Sequence, residues 1–234
     1  MAERSRGASG GRPRGGDLGE TQAPAAPELS YIGRSSIKIR TSSGLAIYID
    51  PYAPGDYSEA ADLLLVTHGH GDHNKVSLVK LKEGALVASP AGAVSLAGAR
   101  AVAEGQSFKA AGGAVEVRVL PAANKNHLRE ECVGYLLSFD GLVLYHTGDT
   151  SFLPEMEGYG KYGIDYLLLP CDGYYNMDGA AAARCAKAMD AKRVVPFHSD
   201  ASAPFNEKNV RAVGAAGAQG LVVLRPGESI RLSK

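Results

Sequence analysis

Short apolar runs, several of them alternating with polar residues, dominate the chain from Tyr31 onward. Alternation with a period of two is typical of a half-buried strand, and an uninterrupted short apolar run is typical of a fully buried one. The pattern predicts strands at residues 31–32, 37–39, 46–49, 63–66, 86–87, 115–120, 134–138, 142–145, 166–170, 193–197, 221–224 and 229–232. It predicts helices at residues 76–80, 91–97, 178–188 and 206–216.

The order of these elements predicts the fold class. Strands come first, strands mixed with helices follow, and strands end the chain, with enough helices to cover two sheets from outside. We therefore expect an α+β protein with a four-layer αββα sandwich. Asp140-Gly141 between two predicted strands indicates a two-residue hairpin turn, and Asp178 is placed to cap the helix that follows it.

Residues 1–28 differ in composition from the rest of the chain. They are rich in Gly, Ala, Pro and Arg and contain hardly any bulky apolar side chains, so burial cannot offset the entropy of ordering them. The sequence therefore predicts a disordered tail at residues 1–28 and a single domain at residues 29–234. A transit peptide or an RNA-binding arm is disfavoured, because acidic residues interrupt the arginines.

Charge, hydropathy and cysteine content indicate which classes of partner and which cellular location to expect. The chain has 25 Lys and Arg residues and 25 Asp and Glu residues, so no overall positive field favours nucleic acid or an anionic membrane. No apolar run approaches the roughly 18 residues of a membrane span, and no secretory signal is visible. Three cysteines without a close pair argue against a disulfide framework. We expect a cytoplasmic protein with a small-molecule substrate and no nucleic-acid or membrane partner.

Residues 67–73, Thr-His-Gly-His-Gly-Asp-His, carry the strongest chemical signal in the sequence. His68, His70, Asp72 and His73 fall directly after a predicted buried strand, where a loop begins. Because residues two apart in an extended chain face the same way, the first three are expected to converge on one side and the fourth to point elsewhere. Imidazoles and a carboxylate this close together need polar partners when buried, and a metal ion supplies them.

Three later strands also deliver a histidine or an aspartate at their ends. His127 follows the strand at residues 115–120, Asp149 follows residues 142–145, and His198 directly follows residues 193–197. All six histidines of the chain lie in these three segments and the one at residues 67–73. Such clustering at strand ends indicates one site at one edge of the fold.

With these motifs the chain resembles the metallo-β-lactamase fold superfamily. The resemblance extends to a branch of small metal-dependent hydrolases that includes L-ascorbate-6-phosphate lactonase. The further matching segments are Tyr48-Ile49-Asp50-Pro51, Tyr145-His146-Thr147-Gly148-Asp149-Thr150 and Pro196-Phe197-His198. The resemblance implies two metal ions, one bound by His68, His70 and a third histidine, and one bound by Asp72, His73 and His198, with Asp149 bridging them.

Some positions within the resemblance leave alternatives. The third histidine is expected to be His127, and the alternative is Asn124, either as a weaker ligand or as a donor behind the ligand. His146 is expected to be structural. Cys171-Asp172-Gly173 replaces a glycine-rich segment of relatives and is expected to border the pocket.

Nitrogen and oxygen ligands without thiolate suit Zn²⁺, with Mn²⁺ and Fe²⁺ as alternatives. Two cations bridged by Asp149 would lower the pKa of a shared water to about 7, giving a hydroxide that attacks a lactone, amide or phosphoester. Asp72 and Asp149 are the expected catalytic carboxylates. The rival hypotheses are a non-catalytic metal-binding protein and a phosphodiesterase or nuclease of the same fold. The latter would hold phosphates with Lys75, Lys125, Lys161 and Arg129.

Overall fold

The computed structural model describes Met1 and residues 25–234, which contain two β-sheets that share a core. In chain order the strands are β1 (Glu28–Gly33), β2 (Ser36–Arg40), β3 (Ala46–Ile49), β4 (Ala61–Leu65), β5 (Leu81–Ser89), β6 (Arg100–Ala101), β7 (Ser107–Ala110), β8 (Val115–Pro121), β9 (Val133–Phe139), β10 (Leu142–His146), β11 (Tyr166–Pro170), β12 (Arg193–Phe197) and β13 (Ser229–Arg231). The α-helices are α1 (Gly179–Ala188) and α2 (Glu207–Ala215), and 3₁₀ helices span Val76–Leu78, Ala111–Gly113 and Pro154–Tyr162. The tail predicted at residues 1–28 lies outside the described residues apart from Met1 and residues 25–28, and Glu28 already belongs to β1.

Both sheets are mixed. The first has the strand order β13-β1-β2-β3-β4-β5-β6, and the second has the order β12-β11-β10-β9-β8-β7. Fully buried side chains from both inner faces, including Ile47 and Leu63 of the first sheet and Val117, Tyr135 and Leu168 of the second, form one cluster between them. Burial of apolar area on this scale is the main stabilising term of the fold.

The predicted αββα sandwich is confirmed, but its two outer layers differ, because helices cover the second sheet and mainly a loop and a single helical turn cover the first. α1, α2 and the Pro154–Tyr162 helix cover the second sheet through a separate buried cluster. Over the first sheet, Tyr48 and Leu64 pack beneath the tyrosine-bearing loop after β3 and the single turn Val76–Leu78. Within the described residues, no helix has the length and apolar character needed to cross a membrane.

Most predicted elements are present. Asp140 and Gly141 have φ values of 49° and 73°, the left-handed conformation that a tight hairpin turn requires. Asp178 caps α1 by accepting from the Ala181 amide at 2.8 Å. The helix predicted at residues 91–97 is wrong, because this segment forms turns in which Gly92 has a φ of 78°. Of the strand predicted at residues 221–224, only an isolated bridge forms.

The topology brings the predicted site segments to one edge. β8 and β10 are both antiparallel to β9, so they point the same way, and β11 and β12 are parallel to β10. The loops that follow β8, β10, β11 and β12 therefore leave the second sheet at the same edge. The loop after β4 is joined to that edge, since the Val133 amide donates to the Thr67 carbonyl at 3.0 Å and the Tyr135 hydroxyl donates to the Val66 carbonyl at 2.8 Å.

Candidate metal centre

The loop after β4 carries its four polar side chains on a tight turn. The His73 amide donates to the His70 carbonyl at 3.0 Å. The expected convergence of His68, His70 and Asp72 is wrong, because the extended conformation ends before this turn. Asp72 instead groups with His73, and His68 groups with His70.

Asp50, at the end of β3, determines which ring nitrogens of two histidines carry hydrogen. This fully buried carboxylate accepts from the Thr67 amide and hydroxyl, both at 2.7 Å, and lies 2.8 Å from His73 Nδ1. A carboxylate only accepts, so His73 Nδ1 donates, and Nε2 of the neutral ring keeps a lone pair. Burial lowers the pKa of His73, but Asp149 and Asp50 outweigh it and raise that pKa, so a cation would displace a proton from Nε2. The Thr67 hydroxyl has already given its hydrogen to Asp50, so it accepts from His68 Nδ1 at 3.1 Å, and His68 Nε2 also keeps a lone pair.

Asn124 fixes the tautomer of His127 in the same way. The Asn124 Oδ1 atom accepts from the Asn126 amide at 2.8 Å and lies 2.7 Å from His127 Nδ1. Because a backbone amide can only donate, this side-chain atom is the oxygen, and His127 Nδ1 must donate to it. His127 Nε2 then presents a lone pair, 3.1 Å from His70 Nδ1. The structure therefore places His127 beside His70, with the Asn124 side chain behind it.

Asp149 lies between the two groups of histidines. Gly148 has a φ of 65°, and a Cβ there would lie 2.6 Å from the Val133 carbonyl oxygen, so only glycine fits the turn that delivers Asp149. The Asp149 Oδ2 atom lies near three Nε2 atoms, at 3.3 Å from His198, 3.6 Å from His73 and 3.8 Å from His127. This is the position that a bridging ligand requires.

His198 and Asp72 complete the outer side of the centre. His198 adopts a φ of 39°, and its Nδ1 lies 3.0 Å from Asp172 Oδ2, an ion-pair distance at an angle unsuited to a hydrogen bond. Its Nε2 faces Asp72 Oδ2 at 3.6 Å. Asp172 therefore lies behind His198, whereas the Cys171 side chain packs in the apolar cluster beneath α1. Neither lines the cavity that opens onto the centre, so this segment does not border the pocket as expected.

The candidate ligands fit divalent cations. In three overlapping groups, possible ligand atoms lie within 4.8 Å of one another: His68, His70 and His127; His68, His73 and Asp149; and Asp72, His73 and His198. His68 Nε2, His73 Nε2 and Asp149 Oδ1 are buried without a hydrogen-bond partner in the part of the chain that the structure describes. Leaving such atoms unpaired costs about 1–3 kcal/mol each, and a cation bound between them would remove that cost.

The charges of these groups are strongly perturbed. Burial raises the pKa of Asp149, but His198 and His73 outweigh it and hold the pKa well below its usual range. Burial and the neighbouring His73 lower the pKa of His68 to about 2, so this ring is neutral and able to bind a cation. The site thus keeps its carboxylates ionised, which favours divalent cations.

His146 lies outside all three groups and occupies a structural position, as predicted. Its ring stacks on Phe197 with centroids 4.4 Å apart. Its Nδ1 accepts from the Gly148 amide at 3.2 Å, and its Nε2 lies 3.2 Å from the Ser35 carbonyl oxygen. Burial lowers the pKa of His146, so the neutral ring makes both hydrogen bonds.

Comparisons with known proteins identify the family of this chain. The chain matches the family described as Beta-lactamase superfamily domain over residues 28–198. It belongs to the metallo-β-lactamase fold superfamily. A UPF0173 metal-dependent hydrolase of Thermus thermophilus is 30% identical over 224 residues, covering 88% of this chain and 99% of the relative. Another, of Nitratidesulfovibrio vulgaris, is 32% identical over 231 residues, covering 88% and 95%. A metallo hydrolase of Ignicoccus hospitalis has a similar structure, with a TM-score of 0.72, 25% identity, and coverage of 90% of this chain and 100% of that one.

This chain is therefore a metal-dependent hydrolase, and a cavity of about 270 Å³ opens onto its metal centre. Besides predicted ligands, the cavity is lined by Arg34, Asn126, Tyr175 and Ala201. No sequence pattern singles out Arg34, an isolated arginine in the turn between β1 and β2. Its Nε and Nη2 donate to Asp72 Oδ2 at 3.0 and 2.8 Å, which holds that carboxylate in place. Burial raises the pKa of Asp72, but His198, His73 and Arg34 together hold it well below its usual range.

Three of the four cations considered earlier as phosphate ligands are engaged elsewhere. Arg129 is paired with Glu104 and Glu155. The ammonium group of Lys75 lies over the Tyr52 ring, 4.5 Å from its centroid, and that of Lys161 lies 5.2 Å from the centroid of Tyr162. Of the lysines and arginines in residues 25–234, Arg34 alone lines the 270 Å³ cavity.

Proposed function

We propose that the centre binds two divalent cations, most readily Zn²⁺, and hydrolyses a small-molecule lactone, amide or phosphoester. His68, His70 and His127 would hold one cation, Asp72, His73 and His198 the other, and Asp149 would lie between them. The similarity to the branch that includes L-ascorbate-6-phosphate lactonase supports a lactone as the first substrate class to test.

The observation that supports this proposal most strongly is that polar partners outside the centre turn Nε2 of three imidazoles toward it. On the outer side of the centre, Nδ1 of each of these histidines has an oxygen partner, supplied by Asp50, Thr67 or Asn124. The Nε2 atom of each ring therefore points to the centre. Outer partners of this kind orient metal-binding histidines and raise their basicity. A purely structural cluster would have no reason to leave buried lone pairs without donors.

Bound cations would supply Lewis acidity and a water that is nucleophilic at neutral pH. The side chains of this chain would orient the reaction. Arg34 keeps Asp72 Oδ2 occupied, so Asp72 can offer its other oxygen, and the Asp149 carboxylate stays ionised because imidazoles surround it. Tyr175 and Asn126 also line the cavity and would exclude part of the bulk water from it.

The size and charge of the cavity support a small substrate over a nucleic acid. Its volume of about 270 Å³ is at the lower end of ligand sites, and its lining arginine is already paired with Asp72. A nucleic-acid surface would instead offer several unpaired cations along a groove. We also propose a cytoplasmic location, which the three buried free cysteines support.

The proposal is tested by metal analysis together with a substrate screen. Protein purified without chelator should contain two equivalents of divalent metal, and lactone, β-lactam and phosphodiester substrates should distinguish the reaction class. Metal-dependent turnover of one class, lost on chelation and restored by Zn²⁺ or Mn²⁺, is the expected result. A protein that takes up both metals but turns over none of the three classes would favour the non-catalytic alternative.

A further inference from the structure

A continuous series of hydrogen bonds runs behind the metal centre and connects ligands from separate strands. Asn124 Nδ2 donates to Asn176 Oδ1 at 2.8 Å. Asn176 Nδ2 donates in turn to Asp149 Oδ2 at 3.0 Å and to Asp172 Oδ2 at 2.8 Å. Since Asn124 also holds His127, and Asp172 faces His198, one amide side chain is joined to candidate ligands of both cations.

The orientation of both amides is determined by their fixed neighbours. The Asn126 amide identifies Asn124 Oδ1, so Asn124 Nδ2 must face Asn176 and find an oxygen there. Asn176 Nδ2 then faces two carboxylates, which accept. Every donor in the series meets an acceptor, as a buried polar network requires.

The segment that carries Asn176 is itself held rigidly. Asp172 Oδ1 accepts from three successive backbone amides, those of Tyr174 at 2.7 Å, Tyr175 at 2.6 Å and Asn176 at 3.2 Å. Burial raises the pKa of Asp172, but the neighbouring His198 and Asn176 side chains and the Tyr174 amide lower it to about 2. The same loop supplies Tyr175 to the cavity wall. Asn176 is therefore presented on a fixed support, as a residue that orients ligands must be.

We propose that Asn176 is a positioning residue that sets the ligand geometry of both cation sites at once. It orients the Asp149 carboxylate directly, it acts on His127 through Asn124, and it shares Asp172 with His198. The inference rests on the proposed two-cation centre, and its consequence is that one substitution outside the ligand set weakens both sites. Asn124, in contrast, acts mainly on the site that contains His127.

The test uses competition between the full-length protein and a chromophoric zinc chelator, which yields an affinity for each site. Asn176→Ala should weaken both sites, by about 10–100-fold, and Asn124→Ala should weaken chiefly one. The matched control is Asn206→Ala, because Asn206 Nδ2 also donates to a carboxylate of a loop, Asp200 Oδ2 at 2.8 Å, but contacts none of the candidate ligands and does not line the cavity. That control should bind both zinc ions within a few-fold of wild type.

A second variant separates positioning from packing. Asn176→Asp keeps the shape of the side chain but places an acceptor against two carboxylates, so it should weaken zinc binding at least as much as Asn176→Ala. If packing alone mattered, the aspartate variant would bind like wild type. Two unperturbed affinities in Asn176→Ala, or equal losses in Asn206→Ala, would overturn the proposal. Wild-type protein that binds fewer than two zinc ions would instead refute the underlying two-cation centre.

Discussion

Replacing Asp50 by Asn should invert the tautomer of a metal-binding histidine without removing any ligand. Asn has nearly the same shape and tolerates the φ of 49° found at this position. Its single oxygen can replace only one carboxylate oxygen. If that oxygen took the Oδ2 position, the new NH₂ group would face the Thr67 backbone amide at 2.7 Å. Two donors would then face each other, and a backbone amide cannot turn away.

The favoured orientation therefore points the NH₂ group at His73 Nδ1. His73 must then accept at Nδ1 and carry its hydrogen on Nε2, the atom that faces the cation site. Loss of an outer partner typically costs about 10–100-fold in metal affinity, or about 1.4–2.7 kcal/mol. Because a buried charge-assisted hydrogen bond is also lost, the metal-free protein should be destabilised by about 1.5–3 kcal/mol.

Zinc titration and long-range ¹H–¹⁵N spectra of the imidazoles measure both effects. The matched control is Asp62→Asn, since Asp62 Oδ2 also accepts from a backbone amide, that of Ala46 at 2.8 Å, but belongs to β4 and touches none of the candidate ligands. Asp50→Asn should weaken the site of His73 more than the other site, and Asp62→Asn should change neither. Wild-type zinc affinities at both sites in Asp50→Asn would refute the reasoning.

Three further predictions concern Asp149, the release of a proton from His198 on zinc binding, and the N-terminal residues. Asp149→Asn removes a charge between two cations, so metal content and activity should fall together by about tenfold or more, and full activity with both metals retained would exclude Asp149 from the site. The control is Asp165→Asn, at a buried carboxylate that pairs with Lys192 and the Val143 amide away from the candidate ligands, and it should leave zinc affinity unchanged. Burial lowers the pKa of His198, but Asp149 and other carboxylates raise it to about 10, so zinc binding at pH 7 should release a proton and should weaken as pH falls. Calorimetry in two buffers of different ionisation enthalpy measures the released proton, and zinc binding without proton release would contradict this prediction. Deleting residues 2–24 should leave the melting temperature and metal content unchanged, and loss of either would refute the prediction from composition.

The fold was largely predictable because its strands have strong local patterns. Clean alternation identified β8, and uninterrupted apolar runs identified β4 and β11. β6 and β7 were missed, since two and four residues are too short to show a period. The helix Pro154–Tyr162 was missed as well, because its two glycines suggest a loop, and tertiary packing of Met156 and Tyr159 stabilises it instead.

The candidate metal centre was likewise predictable only where the sequence has a local pattern. The candidate ligands in residues 67–73 are adjacent in sequence, so the motif alone identifies them. Arg34, Asp172 and Asn176 act through contacts made only after folding: Arg34 reaches Asp72 across 38 residues, and Asn176 reaches Asp149 across 27. A lone Arg or Asn in a loop has no spacing from which such a role can be inferred.

The most direct test of the two-cation centre is anomalous diffraction from crystals of the zinc-loaded protein, with data collected on both sides of the zinc absorption edge. We expect two peaks of anomalous density per chain. One should lie among His68, His70 and His127, the other among Asp72, His73 and His198, with the Asp149 carboxylate between them. A single peak, or a first site ligated by Asn124 in place of His127, would contradict the assignment.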